Sequence, residues 1–99
     1  MKQLPTLDVM DPQETLTVSW DFTFTGATIV GAIVQADPCM GLPDVANQLI
    51  IGTPTVESPV VAAQLSSGQS GTIYQLLCAA HDAAGNQYIV KQLLPVQVL

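Results

Sequence analysis

The nine residues "LTVSWDFTF", Leu16 to Phe24, alternate between apolar and polar without a break. Leu16, Val18, Trp20, Phe22 and Phe24 fall on one side, and Thr17, Ser19, Asp21 and Thr23 on the other. A period of two cannot be satisfied by a helix, whose neighbours recur every 3.6 residues. It predicts a strand with one face buried. The apolar face holds both phenylalanines and the single tryptophan of the chain. Large aromatic rings dominate core energetics, so this strand is the expected anchor of the interior. Rings on an exposed sheet would instead form a ligand platform.

A half-buried strand needs partners, and the rest of the chain supplies them. "LPTLDVM" reads as a short edge strand, with Pro5 at a position where no ladder donor is needed. "DPQET", Asp11 to Thr15, reads as a turn. "ATIVGAIVQA" is nearly continuous in its apolar character, as in a central strand covered on both faces, with Gly31 marking a bulge or a close approach. "DPCMGLPD" reads as a loop. Strands are then expected at Gln48–Ile51, at "VVAAQL" (Val60 to Leu65), along "TIYQLLCAAH", and along "QYIVKQLL". "TPTVESP" changes the chain direction. "DAAGN", Asp82 to Asn86, is a hairpin turn with Gly85 free to adopt positive φ. Pro95 confines the last strand to an edge or a bulge, and "VQVL" resumes the alternation.

About seven short strands separated by turns, with no long helical pattern, predict an all-β, two-sheet antiparallel β-sandwich. At 99 residues one domain is expected, with residues 1–12 as an edge strand or docking arm. The chain is 48% hydrophobic and only 10% charged, a folded composition with unusually few charges. Two explanations fit so little charge: surface covered in an assembly, or surface made polar by Thr, Ser and Gln.

The net charge is −6, with Lys2 and Lys91 as the basic residues besides His81. Phosphate backbones and anionic membrane surfaces require several Lys or Arg, so neither nucleic acid nor membrane is an expected partner. The longest apolar run, Ile29 to Val34, is far short of a membrane span of about 20 residues. "MKQLPTLDVM" lacks the continuous apolar core of a secretory signal, so folding in a cytosol is expected, with Cys39 and Cys78 as free thiols.

No motif promises catalysis. Cys78 and His81 lie three apart in one strand, which sends their side chains to opposite faces. "SSGQSG", Ser66 to Gly71, has neither the spacing of a nucleophile elbow nor the Gly-Lys-Ser/Thr ending of a phosphate loop. Two Cys and one His give no zinc spacing. Asp37, Asp44, Asp82 and Asn86 are loop oxygens that calcium can use, but turn chemistry explains them equally. No catalytic residue, cofactor or metal is therefore assigned. The residues singled out are structural: Trp20, Phe22, Tyr74 and Cys78 as core and corner.

"LSSGQSGTIYQLLCAAHDAAGNQY", Leu65 to Tyr88, resembles the last third of small immunoglobulin-like proteins of tailed bacteriophages, with a Gly–Gly corner before a Tyr-bearing strand, a Gly-containing hairpin and a final strand. "ETLTVSWDF" and "ATIVGAIVQA" sit where that family has its second and third strands. The resemblance implies an immunoglobulin-like sandwich and a non-enzymatic virion component, a fibre-to-tail adaptor or a head, neck or decoration protein. Its implied partners are other virion proteins in a symmetric multicopy assembly, put together in the host cytoplasm. The chain departs from true immunoglobulin domains: Tyr74 stands four residues before Cys78, not two, and the aromatic strand carries no Cys. Tyr74 is expected to lock the corner by giving its hydroxyl to a backbone acceptor. A small-molecule or glycan-binding module working through end loops is the alternative, and it requires an exposed aromatic there, for which Tyr88 is the candidate.

Overall fold

The computed structural model describes residues 9–44 and 48–98. Its strands are β1 (Thr15–Asp21), β2 (Ile29–Gly41), β3 (Ile50–Ile51), β4 (Thr55–Glu57), β5 (Val60–Ser66), β6 (Thr72–Asp82) and β7 (Gln87–Val96). They form two antiparallel sheets. One runs β1-β5, with β3 and β4 following each other along the far edge of β5; the other runs β2-β6-β7. The fold is thus an all-β, two-sheet sandwich in the immunoglobulin-like arrangement, a four-stranded sheet facing a three-stranded one. Met10 adds an isolated parallel bridge to Val96. The remainder of the expected N-terminal edge strand lies outside the described residues.

The core is what the alternation demands. Val18 and Trp20 of β1 and Val61, Ala63 and Leu65 of β5 face Tyr74, Leu76, Cys78 and Ala80 of β6 and Leu94 and Val96 of β7. Trp20 joins the layers by a polar bond as well: its indole N–H donates to Oε1 of Gln92 on β7 at 2.9 Å.

Three expectations are corrected. The aromatic strand ends at Asp21, not Phe24, because the Asp21 carboxylate accepts the Thr23 N–H at 2.9 Å and starts a 3-10 turn over Thr23–Thr25. Phe22 still points inward and is fully buried, while Phe24 is turned out and 73% exposed. The apolar run from Ala27 is not a central strand. β2 pairs only with β6 and is an edge. It also continues through "DPCMG", which was expected to be a loop. An open edge explains this, since Pro38 has no N–H to offer a neighbour and needs none there. Gly31 does sit at a bulge, with the His81 ring lying over it.

Candidate functional site: the tyrosine corner and the outer sheet face

The corner is built where β2 ends and β6 begins. Ser67 and Gly71 carry positive φ of 61° and 88° and turn the chain from β5 into β6. Gly41 ends β2 at φ 76°, and a Cβ there would stand 2.2 Å from the Gly71 carbonyl oxygen. The backbones touch because neither residue has a side chain. Leu42 N–H donates to that same carbonyl at 3.0 Å, and Thr72 Oγ1–H to the Leu42 carbonyl at 2.7 Å.

Tyr74 reaches into this junction. Its hydroxyl accepts the Gln69 N–H at 3.0 Å and donates to the carboxylate of Asp44. The expected backbone acceptor is therefore replaced by a buried acid. Asp44 is only 5% exposed, and its two oxygens also receive the Gln48 N–H at 3.0 and 2.9 Å. Burial, followed by the Asp44 hydrogen bond, pushes the Tyr74 hydroxyl up to about 12. Asp44 went unread as a corner residue because its partner lies 30 positions away. Its side chain points inward beside "LPD", where turn statistics predict an outward one.

The other singled-out residues are interior. Phe22 and Cys78 are fully buried and Trp20 nearly so. Burial pushes the Cys78 thiol up to about 11, so it stays protonated near neutrality and is a poor nucleophile. His81 is exposed on the opposite face of β6. Cys39 is on the surface and Cys78 in the core, both free. Of the acids expected in loops, Asp37 lies on strand β2 and Asp82 acts in a turn. Asp82 accepts the N–H groups of Ala84 and Asn86, the Asn86 side-chain amide and the Tyr88 hydroxyl. These bonds, the Asn86 side chain first, hold its carboxyl below the usual range. Among the described residues no cluster of His, Cys, Asp or Glu is arranged to hold a metal ion.

The two sheets differ on their outer faces. On the four-stranded sheet, Thr15, Thr17, Ser19 and Asp21 of β1 and Gln64 of β5 point outward, the usual polar dressing of an antiparallel sheet, interrupted by Val60 and Ala62 of β5 and the exposed Ile50 of β3. On the three-stranded sheet two of the outward rows are apolar throughout. Ile33, Ala79 and Ile89 form one row, and Met40, Ile73 and Pro95 another. Between them lie Gln35, Leu77 and Lys91, then Asp37, Gln75 and Leu93. Ile33, Ile89 and Met40 are each at least half exposed. The apolar run of β2 thus reads as covered on both faces, while within one chain it is covered on one.

No protein family matches the chain, and neither do curated proteins or solved structures.

Proposed function

We propose that the chain is a non-enzymatic docking module, a structural component of a tailed-phage virion that seats on head, neck or tail proteins as a fibre-tail adaptor or head decoration. The outer face of β2-β6-β7 carries the docking part of this reading. Contiguous exposed apolar surface of this kind marks interaction sites in soluble proteins. The residues with chemical potential support it from the other side, since Tyr74, Cys78 and Trp20 are spent on the interior. The virion part rests on the resemblance of Leu65 to Tyr88 to small immunoglobulin-like phage proteins. Mass spectrometry of purified particles tests it. Copy number near that of the major capsid protein identifies decoration, and a low count identifies a site at one vertex or on the tail. Recovery only as a soluble monomer, absent from any particle, would overturn the reading.

One observation favours a second reading, a small-ligand or glycan-binding module. Phe24 stands exposed in the turn after β1, its ring centroid 5.9 Å from that of Phe22. A glycan array probed with the wild-type chain and with Phe24→Ala decides this: signal that disappears in the variant supports it, and no signal removes it. Tyr88 does not serve the same purpose, because its hydroxyl is given to Asp82.

A further inference from the structure

We infer that the outer face of β2-β6-β7 is covered by a second copy of this chain, the two sheets packing face to face about a two-fold axis that runs along β6. The inference rests on the docking reading above and names the partner of that face.

The charges on the face select this occupant. Asp37 lies on β2, one edge of the sheet, and Lys91 on β7, the other. Lys91 is the sole Lys or Arg among the described residues, and neither it nor Asp37 forms an ion pair or side-chain hydrogen bond among them. Rotation about β6 lays β2 of one copy over β7 of the other. Asp37 of each copy then meets the strand that carries Lys91 of its mate. The two charges are offset by one outward row, about 7 Å along the strand, within reach of the four-carbon lysine stem. One surface thereby complements itself, as an isologous dimer requires. Aside from the single His81, the face carries one acid and one base on a chain of net charge −6, so repulsion between copies is least there.

The apolar rows supply the rest. With β6 over β6, the half-buried Ile73 and Leu77 meet their own counterparts, while Ile33 and Ile89 exchange across the axis. Three strands spaced ~4.8 Å apart, paired over Ile73 to His81, give roughly 14 by 30 Å on each copy. Two such faces cover about 900 Å² before side-chain relief is added, the size of a weak, reversible interface. A micromolar dimer is the expectation.

Sedimentation equilibrium of the full chain across the micromolar range tests this. The wild type should show a monomer–dimer equilibrium. Ile33→Glu and Ile89→Glu should each weaken it about a hundredfold, since a carboxylate would be buried unpaired. Asp37→Lys and Lys91→Glu should each weaken it about tenfold, and the double variant should return to within about threefold of wild type. Circular dichroism confirms the fold of each variant, and the exposed charge exchanges decide the outcome should an isoleucine variant not fold. A monomer at every concentration, a dimer indifferent to Ile33→Glu, or a double exchange that restores nothing overturns the inference. A chain that stays monomeric alone yet is recovered in particles ends the pairing and leaves the docking reading standing.

Discussion

Tyr74 makes two hydrogen bonds through one oxygen, and both hold the corner. Its role as an inward-facing lock is legible in the sequence from its place after "SSGQSG" in an alternating strand. The acceptor is not legible, because periodicity reports which face a residue occupies and nothing about a partner 30 residues away. The acceptor changes the energy. A neutral bond is worth about 1 kcal/mol, while a bond to a buried carboxylate is worth about 1.5–3 kcal/mol. Tyr74→Phe should therefore lower the melting temperature by roughly 8 °C or more in a domain of this size, measured by circular dichroism. An unchanged value would mean that Asp44 is satisfied without the phenol. The same residue sets an alkaline limit. The unfolded chain loses the phenolic proton near pH 10.0 and the folded chain near 12. Between these values the unfolded state holds fewer protons, so stability falls as pH rises. Cys78 acts in the same direction between 9.0 and about 11. The contribution of Tyr74 is complete below pH 10 and gone above 12. Melting temperatures from neutral pH upward should fall in this window, and less steeply in Tyr74→Phe. Equal slopes would refute the assignment to Tyr74.

Among the elements, the β-rich runs bounded by turn residues were readable: β5, β6, β7 and the Asp82–Asn86 hairpin. Misreadings occurred where one side chain or one edge outweighed the pattern. Asp21 halts β1 by capturing Thr23, although the alternation runs on to Phe24. Pro38 and Gly41 look like loop residues, yet an edge strand tolerates the first and ends on the second. The two glycines of β2 should respond differently to substitution. An added Cβ at Gly41 would meet a backbone oxygen at 2.2 Å and occupy positive φ. At Gly31 it would meet the exposed His81 ring, which can swing aside. Gly41→Ala is expected to cost more than about 2 kcal/mol and Gly31→Ala about 1 kcal/mol or less in urea unfolding. Equal midpoints would show that the Gly41–Gly71 contact can relax.

The whole molecule is bound through its interior, with Trp20 contacting both layers. Buried at 2% exposure and bonded to Gln92 across the sandwich, it senses separation of the sheets. Its fluorescence should be blue-shifted in the folded state. Its unfolding transition should coincide with that of circular dichroism, as a single cooperative unit requires. Separate transitions would reveal sheets that come apart before their strands melt. The sandwich itself was legible because turn residues separate about seven short strand-like runs with no long helical pattern among them. The apolar outer face was legible only in part: the run in β2 announces burial on both sides, but no local pattern says whether the cover belongs to the same chain.

The distance spanned by the Asp44–Tyr74 contact also bears on the order of folding. Closing 30 residues costs more chain entropy than closing the four-residue turn between β6 and β7. The hairpin can form early, on local contacts, and the corner is expected to close after the rate-limiting step. A late contact acts on the way out of the native state. In stopped-flow experiments Tyr74→Phe should speed unfolding while leaving the refolding rate nearly unchanged, whereas an equal slowing of refolding would place the corner in the folding nucleus. On this view Tyr74 governs how long the native state lasts once it is reached.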